Sequence, residues 1–252
     1  MNLKTALYQH LLQLADNALI LGHRLSEWCG HGPILEQDIA ISNIALDFIG
    51  QARMLYQYAA EIEGKGRSED DLAYLRDAFE FRNVLLVEQP NQDWGYTIVR
   101  QFLYDAYNFY FHQSLTQSKD PKIAAYAEKA IKEITYHLRW SSEWMIRLGD
   151  GTEESHRRVQ EALNDYYVYA AELLESNEAD KIMAEEGISV DLAYIRPMVE
   201  ERIDFVLAEA KLEKPVVKWA QTGGKAGRHS EHLGYILAEM QYLQRAYPNA
   251  EW

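Results

Sequence analysis

The chain has 252 residues, of which 48% are hydrophobic and 25% charged, and its formal net charge is −14. That charge argues against a nucleic-acid partner, because no concentrated basic patch is evident beyond one short loop near the C-terminus. A single cysteine, Cys29, excludes an intramolecular disulfide and a thiolate metal cage. With no apolar run near the ~18 residues of a membrane span and no signal-peptide pattern, the expected setting is the cytoplasm, away from membranes.

Leu7, Leu11, Leu14, Ala18, Leu21, Leu25 and Trp28 recur at 4-3 spacing, which predicts a long first helix with a bundle seam. Asn17 and Arg24 fall at the edge of that seam, and Asp16 faces more outward. Cys29-Gly30-His31-Gly32-Pro33 stops the helix. A second long helix is predicted over residues 36–61, with Ile41, Ile44, Phe48, Ala52, Leu55 and Ala59 as its apolar stripe. Asp47 and Gln51 flank the stripe, four apart. Residues 63–71 read as a polar loop, 72–82 as a short helix, and Gln89-Pro90-Asn91 as turn chemistry. Asp93 then caps a third long helix that runs to about residue 117. Its centre, residues 102–111 (FLYDAYNFYF), is apolar or aromatic almost all round, so Asp105 is expected to be buried.

Residues 127–148 predict the fourth long helix. Lys129, Lys132, Arg139, Glu143 and Arg147 share one arc, and Ile131, Ile134, Leu138 and Met145 form the opposite stripe. Glu133 and His137 stack four apart on the inward side, beside Trp140 and Trp144. Further helices are predicted over residues 153–175, 197–212 and 231–247, with acidic turns leading through Gly187. No segment alternates with period two and no fixed repeat recurs. The expected fold class is therefore all-α, a four-helix bundle with additional peripheral helices, in one domain over residues 1–252.

Inward acids and an imidazole on bundle helices point to metal chemistry. In ferritin-like di-metal carboxylate bundles, two helices each supply a Glu and two others each supply Glu-x-x-His. Asp47 with Gln51, Asp105, and Glu133 with His137 echo that layout. The spacing departs from it, because both pairs are four apart instead of three. If Gln51 and His137 held the histidine positions, the carboxylate positions would be Phe48 and Ile134. Too little negative charge then remains for two metal ions. The favoured expectation is a buried hydrogen-bonded or ion-pair network of Asp47, Gln51, Asp105, Glu133 and His137; the competing one is an altered metal site. One literal Glu-x-x-His, Glu153–His156, sits at a polar helix start and reads as a solvated first turn. Residues 222–234 (TGGKAGRHSEHLG) place Lys225, Arg228, His229 and His232 around glycines before a helix start. That stretch reads as a docking loop, an anion site for phosphate, or a His229/His232 metal pair.

Residues 25–33 (LSEWCGHGP), 46–53 (LDFIGQAR), 85–91 (LLVEQPN), 130–138 (AIKEITYHL) and 222–244 (TGGKAGRHSEHLGYILAEMQYLQ) resemble the C-subunit family of the ring-1,2-phenylacetyl-CoA epoxidases of aerobic phenylacetate degradation. The resemblance implies a ferritin-like fold and membership of a multicomponent monooxygenase that uses dioxygen and NADPH. It implies a metal-free structural chain, paired with a catalytic A subunit that carries the di-iron centre. Other small subunits and a reductase with flavin and iron–sulfur groups would complete the complex; the chain alone is expected to be inactive, and when isolated it could form a homodimer. No catalytic or metal residue carries over to this chain. Lys225, Arg228, His229 and His232 would face the partner or CoA phosphates. The alternative is a self-sufficient di-iron oxygenase with atypical ligands.

Overall fold

The computed structural model describes residues 1–248 and 250, and among these every regular element is helical. The chain divides into two compact units, Met1–Pro90 with Gly223–Trp252, and Asn91–Thr222. The first unit opens with α1 (Leu3–Ser26), where the Asn2 side chain accepts from the Thr5 N–H at 2.8 Å and supplies an N-cap. The seam Leu7–Leu11–Leu14–Ala18–Leu21–Leu25 is buried throughout. The helix ends at Ser26, two residues before Trp28, and hydrogen-bonded turns through His31 reverse the chain.

Helix α2 (Leu35–Glu63) returns antiparallel to α1. Tyr56 meets Asp16 and Arg67 meets Tyr8, one end of the pair to the other. Gly22 permits the close approach, since a Cβ there would lie 3.0 Å from Ile49 Cδ1 and 3.3 Å from the Ala45 carbonyl oxygen. The short helix expected over residues 72–82 is two pieces. Helix α3 (Glu69–Tyr74) starts earlier, on a Ser68/Asp71 capping box, and a single 3₁₀ turn follows at Ala78–Glu80. One turn of helix, α4 (Leu85–Glu88), then precedes Pro90.

The second unit is built on α5 (Trp94–Leu115) and α6 (Pro121–Gly149), again antiparallel. Asp93 and Asp120 cap them, and Pro121 occupies the first turn of α6, where its missing N–H costs nothing. Trp94 meets Trp140 and Trp144 edge-on, at centroid distances of 6.0 and 5.7 Å, and so ties the start of α5 to the later turns of α6. At the other end His112 accepts from the Tyr126 hydroxyl at 3.0 Å and donates to the Asn108 carbonyl at 2.9 Å. Burial pushes this imidazole down to about 4, so it is neutral and fills a structural place.

The helix expected over residues 153–175 breaks at Tyr167. Helix α7 (Glu153–Tyr166) passes through a 3₁₀ turn, Tyr167–Tyr169, into the single turn α8 (Ala170–Leu173). Helix α9 (Glu178–Glu185) stands where only acidic turns are legible, on an Asn177/Asp180 capping box. Helix α10 (Leu192–Glu209) begins five residues before Pro197, the residue that reads as its start. Pro197 is exposed, so the one helical bond it removes leaves a carbonyl that water can reach. Gly149 lets α6 meet the end of α10, because a Cβ there would sit 2.8 Å from Ala210 Cβ.

The chain returns to the first unit with α11 (Glu231–Met240) and α12 (Tyr242–Ala246). These form two helices instead of the one expected over residues 231–247. Gln241, at the break, turns inward and donates to the Ala73 and Arg76 carbonyls at 3.2 and 2.9 Å. The four long helices are the complement of a ferritin-like bundle, and the others are peripheral additions. Among the described residues no helix is long and apolar enough to cross a membrane.

Candidate functional site

In the second unit, α5 and α6 bring together part of the expected polar set. Asp105 is fully buried. Gln101 Nε2 donates to its Oδ1 at 2.7 Å, and the Ser141 hydroxyl donates to its Oδ2 at 2.9 Å. Burial pushes the carboxyl up to about 7; the nearby His137 and the hydrogen bonds from Ser141 and Gln101 draw it partly back. Gln101 and Asp105 are one turn apart on α5, and His137 and Ser141 one turn apart on α6, so two i,i+4 pairs face each other. Glu133, one turn before His137, is half-buried, whereas Ile134 and His137 are fully buried. In the first unit, Gln51 is buried on α2 beside the fully buried Phe48, and Asp47 is half-buried.

A di-metal centre does not fit these residues. Asp105 is the one fully buried carboxylate of the set, and both its oxygens already accept hydrogen bonds from Gln101 and Ser141. The positions that would supply bridging carboxylates, Phe48 and Ile134, are packed into apolar core. Among the described residues no group of three or more His, Cys, Asp or Glu side chains is arranged to hold a metal ion. What the Asp105 cluster can do is store a proton. A folded-state value raised above the unfolded ~3.9 means that the native chain binds more protons across that window. Stability therefore falls as pH rises from about 4 to about 7. Thermal unfolding of Asp105→Asn should lose this slope, at most ~1.4 kcal/mol per pH unit, and the variant should gain on the parent above neutral pH.

The decoy motif is accounted for locally. Glu153 opens α7, and the His156 ring donates to the Gly149 carbonyl at 2.7 Å, tying α7 to the end of α6.

The glycine-basic loop is anchored within the first unit. Gly224 lies so close to the preceding chain that a Cβ would run into the Asn83 carbonyl oxygen, and one at Gly227 into that of Phe79. Gly227 also has φ +77°, a left-handed conformation that favours glycine. The anion at the start of α11 is the chain's own Glu88, which is fully buried. Its Oε1 accepts from the Ser230 N–H at 2.7 Å and the Ser230 hydroxyl at 2.8 Å. Its Oε2 accepts from Asn83 Nδ2 at 2.9 Å and His229 Nδ1 at 2.8 Å. His229 has no ring nitrogen left for a phosphate, because Nε2 lies 3.0 Å from the Phe81 carbonyl oxygen. Of the four residues expected at an outer docking face, His229 is thus turned inward. Lys225 and His232 are half-buried and Arg228 is exposed.

A second buried ionic group corrects the sequence reading of α1. Asp16 faces inward and is fully buried, and Arg76, 2% exposed, forms a two-armed ion pair with it. Tyr56 donates to Asp16 Oδ1 at 2.5 Å, and the Arg82 N–H donates to Oδ2 at 2.7 Å. The Arg76 guanidinium also covers the Phe81 ring at 4.2 Å. Asp16 is inward because α1 is covered on a second side, by the chain from Arg76 to Glu88. There Asn17 accepts from the Val84 N–H at 2.8 Å and Arg24 donates to the Glu88 carbonyl at 2.8 and 3.1 Å. Period counting assigns one inward stripe per helix and misses this. The available signal was Glu88 itself, an acid at the end of an apolar run, which needs a partner wherever the run is buried.

The family model described as "Phenylacetic acid catabolic protein" matches residues 2–252. The chain is also 48% identical over 243 residues to the C subunit of the 1,2-phenylacetyl-CoA epoxidase of Escherichia coli (strain K12), covering 96% of this chain and 98% of that protein.

Proposed function

The chain belongs to the phenylacetic acid catabolic protein family, and on that premise we propose that it is a structural, non-catalytic subunit of an epoxidase complex acting on phenylacetyl-CoA, paired with a catalytic A subunit. The observation that carries the structural role is the Asp105 cluster. Both oxygens of this buried carboxyl accept from the chain's own Gln101 and Ser141, which supports a helix pair that holds its central acid with protein groups. In this reading the di-iron centre belongs to the partner. A reductase with flavin and iron–sulfur groups delivers the electrons of NADPH, and residues 1–252 act as a single ferritin-like domain.

The test is a binary complex with the catalytic subunit of a related epoxidase, analysed for iron and turnover. The chain should co-elute with that subunit at micromolar concentration, and omitting it should abolish phenylacetyl-CoA consumption. Asp105→Asn should leave the iron content of the complex unchanged. Loss of iron in that variant, or stoichiometric iron on the isolated chain, would support instead an oxygenase that uses Asp47, Asp105, Glu133 and His137 as its own ligands.

A further inference from the structure

His229 sits between two acceptors. Its Nδ1 is 2.8 Å from the Glu88 carboxylate and its Nε2 is 3.0 Å from the Phe81 carbonyl oxygen. A carboxylate and a carbonyl can only accept, so both ring nitrogens must carry hydrogen, and the ring that fits this geometry is the imidazolium. Its side chain is 4% exposed and that of Glu88 is 0% exposed, so the pair is shielded from solvent. The contact joins α4 to the residue just before the Ser230 cap of α11, at the point where the chain re-enters the first unit. We infer that His229 is a proton-operated latch: as an imidazolium it clasps Glu88 and holds the return segment 223–246 in place, and on losing its proton it lets that segment open.

The surrounding charges decide whether the latch closes. Glu88 on α4 and Asp16 on α1 favour the imidazolium. Two cations oppose it: Arg24, which holds the Glu88 main-chain carbonyl, and Arg82, whose Nη1 donates at 2.7 Å to the same Phe81 carbonyl that His229 uses. On the loop itself Lys225, Arg228, Glu231 and His232 carry the remaining ionisable groups. Burial pulls the His229 value down, but the hydrogen bond and charge of Glu88, then the Phe81 carbonyl and Asp16, outweigh it, and the imidazole is raised above its ordinary range. A raised histidine contributes its full stabilisation below the unfolded value of ~6.5. That contribution is lost as pH rises through the folded value. Above it, one of the two donors is gone, so either the buried Glu88 carboxylate or the Phe81 carbonyl is left without its histidine partner and the two-sided clasp is broken.

Hydrogen exchange on the full chain, corrected for the intrinsic pH dependence of amide exchange, tests this directly. The opening constant of peptides from α11 and α12 should rise by up to about tenfold per pH unit above ~6.5 and then level off, while peptides from α6 stay flat. In His229→Gln the α11 and α12 peptides should open equally readily across the same range. A flat wild-type profile, or an unchanged slope in His229→Gln, overturns the latch. A titration of the His229 ring by NMR in the wild-type chain needs no variant. A midpoint above ~6.5 is expected, and a midpoint at or below it overturns the latch as well. Neither readout depends on the epoxidase assignment.

Discussion

Asp16→Ala is expected to destabilise the first unit by about 3–5 kcal/mol, the cost of leaving a buried partner charge uncompensated. Arg76 would keep its guanidinium at 2% exposure with no carboxylate beside it. Tyr56 and the Arg82 N–H would lose their acceptor in the same stroke. The measurement is the midpoint of denaturant unfolding. A double variant, Asp16→Leu with Arg76→Met, should recover most of the loss, because it removes both charges and refills the volume with apolar atoms. If Asp16→Ala alone costs less than ~1 kcal/mol, the pair behaves like an exposed one and its burial contributes little. The double variant separates two roles that a single substitution confuses: the net worth of the ion pair, which is small, and the penalty of breaking it, which is large.

Gly224→Ala should be the most damaging change in the glycine-basic loop. Its Cβ would overlap the Asn83 carbonyl oxygen and lie 3.1 Å from the Leu85 nitrogen, so the obstacle is backbone and cannot rotate away. Overpacking of this kind costs ~1–3 kcal/mol. The shift should also travel, since the flanking Val84 N–H is the donor to Asn17 on α1, and Asn83 is a donor to Glu88. Thermal unfolding should report the loss, and exchange in α11 should accelerate at every pH, unlike the pH-gated opening assigned to His229. Ala226→Ser, two residues on and exposed, should stay within about 0.5 kcal/mol of the parent. A neutral Gly224→Ala would mean that residues 83–85 can move aside, which removes the packing reason for glycine here.

These two sites also mark how far sequence reading reached. The long helices were legible because their determinants are local, although α6 begins at Pro121, six residues before the expected start at 127. Apolar spacing of 3.6 residues and the Asp93 cap act over one turn. Breaks inside the peripheral helices were not legible. The turn at Gln241 exists because its side chain finds the Ala73 and Arg76 carbonyls, and α10 extends through Pro197 because that side of the helix faces water. The burial of Asp105 followed from the apolar neighbours on every side of its helix. Burial raises its proton affinity, and what was not legible is that Gln101 and Ser141 supply the two donors that draw it partly back.

By itself, then, the sequence determined the all-helical class, the four long helices and the family. Each of these is written in residue type and short-range spacing. The tertiary structure alone decided which polar groups are paired. Asp16 meets Arg76 across 60 residues, and Glu88 meets His229 across 141. Those pairings form because a buried charge must find its opposite wherever the folded chain brings one. No local pattern records which distant residue that will be.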